Sequence, residues 1–170
     1  MDGIKAALVL FVAALLQLSV LSEYRLFRTS SIVLVALLSI ALLRGSVFGA
    51  VAGFMTGLLI DTATLGTLGV TSLLLTVGGF WIGRYGETTA RDRFHAPYLS
   101  VAVVTVLYAF GQVVLQFMLG EPAPAGLVAN GVPLALLVNL LLTLPVYALI
   151  RRLFPPLELG DRVREVRLLG

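Results

Sequence analysis

Few residues in this 170-residue chain could do chemistry, because it has no cysteine and one histidine. These counts exclude disulfides, thiol catalysis and zinc sites built from cysteine and histidine. Asp61 lies in a glycine-rich apolar segment that has no second acid or histidine within two helical turns. Proton relays and catalytic aspartates usually need such a companion or a buried charge partner. We therefore expect Asp61 to anchor a helix end, accepting hydrogen bonds from backbone groups or from hydroxyls such as Thr62 and Thr64.

A line of glycines at four-residue intervals precedes Asp61. We call it the glycine stripe, and it consists of Gly45, Gly49, Gly53 and Gly57. A four-residue step advances about 40° beyond a full helical turn, so these glycines share one slowly drifting face. A face without side chains lets another helix come close in a membrane. The partner could be a helix of this chain or of another protein. A second group of glycines indicates another close-packing surface, at Gly78, Gly79, Gly83 and Gly86.

Polar residues recur every four positions in two later apolar segments. We expect these segments to be antiparallel neighbours, so their polar residues can hydrogen-bond to one another inside a bundle. A polar ligand pocket between the two helices is the alternative. The residues predicted to make these contacts are Gln112, Gln116, Asn139 and Thr143, flanked by Tyr108 and Tyr147.

The composition is that of a membrane protein, with 59% hydrophobic and 12% charged residues. Soluble domains have about 45–50% apolar and about 25% charged residues, so a water-soluble globule is excluded. The apolar runs predict an all-α protein with six transmembrane helices within residues 1–150. We expect them near 6–21, 30–43, 46–61, 67–83, 98–119 and 127–150. Residues 151–170 have Leu159, Val163 and Val166 at helical spacing among charges, which predicts an amphipathic cytoplasmic tail.

The basic residues predict the orientation in the membrane. Six spans place both termini and the loops after the second and fourth helices on one side, with ten of the 12 basic residues. The positive-inside rule makes that side cytoplasmic, so the basic pI of about 9.7 reflects topology and no nucleic-acid partner is expected. The loop with Arg84, Arg91 and Arg93 is expected to set topology or to contact anionic lipids, with His95 solvated beside it. The ten are Lys5, Arg44, Arg84, Arg91, Arg93, Arg151, Arg152, Arg162, Arg164 and Arg167, against Arg25 and Arg28.

The segment GAVAGFMTGLLIDTATLGTLGVTSL resembles the signature region of the MreD family of bacterial rod shape-determining membrane proteins. The matching positions are Gly53-Phe54, Gly57-Leu58 and Asp61, followed by Gly66 or Gly69. This resemblance implies a non-enzymatic, multi-pass protein of the bacterial inner membrane that takes no cofactor or metal. It also implies binding to MreC, a single-span protein with a periplasmic domain. The wider elongation complex would include the actin-like MreB and the glycosyltransferase–transpeptidase pair of lateral peptidoglycan synthesis.

Proteins similar to MreD also resemble the substrate-binding S-components of energy-coupling-factor vitamin transporters in fold, so we expect that fold here. A vitamin-binding S-component is accordingly the alternative function. S-components typically carry small residues at four-residue spacing in the first helix. Here Ala6, Ala7, Ala13 and Ala14 have no small residue four positions later, which makes transport less favoured. An intramembrane enzyme is the least favoured class, because Asp61 lacks a catalytic companion.

Overall fold

The structure is a computed structural model that describes residues 2–17, 32–64, 67–88, 95–120 and 125–154. These residues form six helices, which confirms the all-α prediction. The helices are α1 (Asp2–Leu16), α2 (Ile32–Arg44), α3 (Ser46–Thr64), α4 (Val70–Thr88), α5 (Ala96–Met118) and α6 (Ala125–Leu153).

The central element is α2. Every residue from Val33 to Leu43 is buried, and α2 contacts each of the other five helices. A helix that is apolar on all sides is stable when it is surrounded by others. Its 13 residues extend about 20 Å, less than the roughly 30 Å of a hydrocarbon core. The surrounding helices supply the neighbours that so short an apolar helix requires.

Three helices are long and apolar enough to cross a membrane, through the segments Ser46–Ala63, Ala96–Leu115 and Gly131–Leu153. They belong to α3, α5 and α6. The apolar helices α1 and α2 are shorter. In α4, glycines, hydroxyls and the charged Arg84 and Glu87 interrupt the apolar residues. Six helices are thus present in the described residues, and three of them are both long and apolar enough for a full span.

Successive helices run in opposite directions. The Val33 amide donates to Gln17 Oε1 at 3.1 Å, where α1 ends and α2 begins. At the opposite side of the bundle the Arg44 guanidinium lies 5.3 Å from the centre of the Phe154 ring, where α2 and α6 both end. We call this side the Arg44 end and the opposite side the Asp61 end.

Several observed helix bounds differ from the predicted ones. The first helix is described as Asp2–Leu16, so it begins four residues before the predicted start at residue 6, and residues 18–21 of the prediction lie outside the described residues. The fourth continues to Thr88, beyond the predicted Gly83, because its last turn still packs against the bundle through Gly86 and Glu87. The last helix continues to Leu153, through Pro133 and Pro145. The predicted amphipathic tail lies outside the described residues from residue 155 onward.

Candidate functional site

The glycine stripe lies against α4. A Cβ atom added to Gly53 would come within 2.6 Å of the Leu75 carbonyl carbon. At Gly57 the added atom would lie 2.6 Å from the Ser72 amide nitrogen. Such distances are shorter than real Cβ contacts allow. The backbones of α3 and α4 are therefore in direct contact along the stripe, with no room for a side chain.

The second glycine group forms the other half of this crossing. Gly79 faces Gly49, and Gly83 faces Gly45 and Ser46. Gly86 extends the contact to the carbonyl of Leu42 in α2. The fourth glycine of this group, Gly78, faces Val104 of α5 instead. Phe54, which belongs to the segment that resembles the family signature, is exposed on the outer face of α3. The sequence left open whether the stripe packs within the chain or against a partner, and the structure places it within the chain.

Asp61 is 3% exposed and caps the N-terminus of α4. Its Oδ2 accepts hydrogen bonds from the Gly69 amide at 2.9 Å and the Ser72 amide at 3.2 Å. Its Oδ1 accepts from the Thr71 amide at 3.2 Å. The first amides of a helix have no partner within the helix, and the helix dipole favours a negative charge there. One carboxylate thus accepts two amides of α4 and the amide of Gly69 directly before it.

The donors to Asp61 differ from the hydroxyls that the sequence suggested. The Thr62 hydroxyl donates to the carbonyls of Leu58 and Leu59 in its own helix, and the Thr64 side chain lies outside the described residues. Backbone amides supply the bonds because the chain turns back directly after Asp61 and presents the start of α4 to it.

Glu87 makes the reciprocal cap at the Arg44 end. Its Oε1 accepts from the Ser46 amide at 2.7 Å and from the Ser46 hydroxyl at 3.0 Å. Arg84 donates to the other oxygen at 3.4 Å. Gly45, which has a φ of 97°, leaves the space that this carboxylate occupies. Each helix of the α3–α4 pair therefore supplies an acid that caps the other. No local pattern indicated this role for Glu87, because its partner Ser46 is 41 positions away.

A pH dependence follows from this second cap. The Ser46 amide lowers the pKa of Glu87 below its ordinary value of 4.5, and the Ser46 hydroxyl and Arg84 act in the same direction. A depressed pKa means that the stabilisation is fully present above pH 4.5 and is lost as the pH falls through the folded-state value. We expect Glu87→Gln to lower the thermal midpoint in detergent at pH 7, and the difference from wild type to shrink below pH 4.5. If the difference in thermal midpoint between wild type and Glu87→Gln stayed constant down to pH 3, the Glu87 charge would not stabilise the α3–α4 pair.

Polar residues of α5 and α6 meet at a buried point between the two helices. Asn139 Nδ2 donates to Thr105 Oγ1 at 3.1 Å, and the Thr143 hydroxyl donates to the Asn139 carbonyl at 2.7 Å. Gln112 donates to the Tyr108 hydroxyl of its own helix at 3.1 Å. The side chain of Gln116 lies outside the described residues. The interhelical bond therefore involves Thr105, which the four-residue spacing had not indicated.

The basic loop is described in part. Arg84 belongs to α4 with an exposed side chain, and Arg91 and Arg93 lie outside the described residues. His95 is exposed in the turn before α5, where its carbonyl accepts the Leu99 amide at 3.0 Å. Across the residues that the structure describes, no group of three or more histidine, aspartate or glutamate side chains could hold a metal ion.

The comparisons with known proteins identify a family. A family model described as rod shape-determining protein MreD matches residues 4–153. That range contains the glycine stripe, both carboxylate caps and the Asn139–Thr105 bond. No curated protein and no solved structure matches the chain. The expected similarity to the S-component fold stays a prediction.

Proposed function

Because this chain belongs to the MreD family of rod shape-determining proteins, we propose that it is a non-enzymatic membrane scaffold of the bacterial elongation machinery. It binds MreC and helps organise lateral peptidoglycan synthesis together with MreB and the glycosyltransferase–transpeptidase pair. It resides in the inner membrane with six spans. The family match over residues 4–153 carries this proposal, since it extends through all six helices.

The two carboxylate caps support a scaffold. Both oxygens of Asp61 accept backbone amides, and those of Glu87 accept Ser46 and Arg84. Both acids are thus occupied in hydrogen bonds that hold helix ends together. These acids connect helices, as a rigid platform for other proteins requires.

The positions of the basic residues support cytoplasmic termini. In the described part of the chain every lysine and arginine lies toward the Arg44 end: Lys5, Arg44, Arg84, Arg151 and Arg152. We expect reporter fusions after residues 90 and 170 both to report the cytoplasm, because positive residues are retained there during insertion. A periplasmic signal from either fusion would contradict the six-span topology.

The proposed partner can be tested by affinity purification from bacterial membranes. We expect the tagged chain to retain MreC after mild detergent extraction, whereas an unrelated single-span protein expressed at the same level should be washed away. A chain that carries a bound vitamin and retains no MreC would contradict the scaffold and favour the S-component alternative.

A further inference from the structure

Three arginines lie where α2 and α6 end, and we call them the arginine corner: Arg44, Arg151 and Arg152. The Arg44 guanidinium is 5.3 Å from the centre of the Phe154 ring. Phe154 is fully buried, so this cation–π contact holds the charge of Arg44 beside the end of α6. Arg151 and Arg152 are exposed in the last turn of that helix. The corner therefore brings positive charges from two helices to one side of the bundle.

The helices that meet at the arginine corner supply no acid. None of α2, α5 and α6 contains an aspartate or a glutamate. Glu87 of α4 lies at the same end of the bundle, but its oxygens accept hydrogen bonds from Ser46 and Arg84. A site lined by charges of one sign attracts counterions of the opposite sign. The corner is therefore suited to bind an anion from outside the bundle.

The surface next to the arginine corner is apolar. On α6, the side chains of Leu144 and Leu149 are 54% and 58% exposed. Arg152 follows Leu149 by three residues, so the two side chains are neighbours on one face of the helix. A ligand that contacts both has a negative group at the membrane surface and an apolar part along the helix. A phospholipid has this construction.

We propose that the arginine corner binds the phosphate of an anionic phospholipid of the cytoplasmic leaflet, and that the acyl chains lie against the outer face of α6. Basic pockets between transmembrane helices on the cytoplasmic side bind such headgroups. Arginine matches phosphate because its planar guanidinium donates two parallel hydrogen bonds. The inference rests on the proposed cytoplasmic orientation and does not use the binding of MreC, so either can fail without the other.

The residues that follow Phe154 are another source of negative charge. Residues 155–170 carry three acids, Glu158, Asp161 and Glu165, but also three arginines. Their net charge is therefore zero, and they would bring as much positive as negative charge to the corner. An anionic headgroup neutralises the arginines without this cost, which favours the lipid.

Thermal unfolding of the full chain in mild detergent tests the proposal. Added phosphatidylglycerol should raise the thermal midpoint, because a ligand that binds only the folded state stabilises it. Phosphatidylcholine has a headgroup without net charge and should have little effect. We expect Arg152→Gln to raise the apparent Kd for phosphatidylglycerol about fivefold, and the added Arg151→Gln change to raise it about fivefold again. Both side chains are exposed, so the fold should be unchanged.

Lys5→Gln is the matched control, because Lys5 is an exposed cation at the same end of the bundle but on α1. It should leave the apparent Kd unchanged. If phosphatidylglycerol did not raise the midpoint, the arginines would only set the topology and the proposal would be wrong. An equal loss of affinity in Lys5→Gln, or an equal effect of phosphatidylcholine on wild type, would also overturn it. Inorganic phosphate lacks acyl chains, so an effect as large as that of phosphatidylglycerol at the same concentration would indicate a free phosphate ligand and contradict the lipid.

Discussion

Gly53→Ala should strongly reduce the amount of folded chain in the membrane. The new methyl group would overlap the Leu75 carbonyl, which is backbone and cannot rotate away. The helices α3 and α4 would have to separate, and they would lose many small dispersion contacts at once. Overpacking of this kind lowers the free energy of unfolding by up to about 3 kcal/mol. That loss is a large part of the free energy of unfolding of a typical protein. Quantitative blotting of membrane fractions measures the effect, and Gly53→Leu and Gly57→Leu should be more damaging still.

Three substitutions provide controls for this effect. At Gly3 an added methyl group would meet nothing within 4 Å, so Gly3→Ala should accumulate normally. At Gly111 it would meet the end of the Leu74 side chain, which can rotate, so Gly111→Ala should be intermediate. Leu58→Ala on the exposed face of α3 should also cost little. Normal levels of Gly53→Ala and Gly57→Leu together with unchanged MreC binding would show that the stripe neither packs the bundle nor binds a partner.

Asp61→Ala should have the second large effect. It removes the acceptor of three amides at the start of α4, two of them buried. An unsatisfied buried donor costs about 1–3 kcal/mol, so the total loss is about 3 kcal/mol or more. We expect a large fall in the thermal midpoint of the purified chain in detergent, with separation of the α3–α4 pair as the cause.

Asp61→Asn keeps the shape of the side chain and removes its negative charge. The amide oxygen can replace one carboxylate oxygen, but its NH₂ group then faces the amide of Thr71 or Ser72, which is also a donor. We expect a loss of about 1–2 kcal/mol, normal insertion and partly weakened assembly. Thr62→Ala is the neighbouring control, because its hydroxyl bonds only within α3. An Asp61→Asn protein that lost a transport or hydrolytic activity while keeping every assembly contact would contradict the scaffold account.

Local spacing predicted those features that depend on one helix alone. Glycines four residues apart had to share a face, and an acid with no charged neighbour had to be satisfied at a helix end. The structure adds two results. The glycine stripe packs against α4, and the hydrogen-bond donors to Asp61 are amides at the start of α4. A helix face does not identify its partner, because many helices in an apolar bundle could pack against it.

The remaining misses involve contacts between distant parts of the chain. Glu87 looked like a loop residue, since its partner Ser46 precedes it by 41 positions. Periodicity predicted that Asn139 would meet the regularly spaced polar residues of the fifth helix, whereas it bonds to Thr105, which lies outside that pattern. Such contacts depend on tertiary packing, which local periodicity cannot specify.

Association of the two purified full-length proteins tests the central claim most directly. The tagged chain and MreC would be purified separately in mild detergent, mixed, and separated by size-exclusion chromatography. A scaffold that binds MreC predicts one earlier peak that contains both proteins at a fixed ratio. Two separate peaks at the elution volumes of the individual proteins, with both proteins folded, would contradict the account.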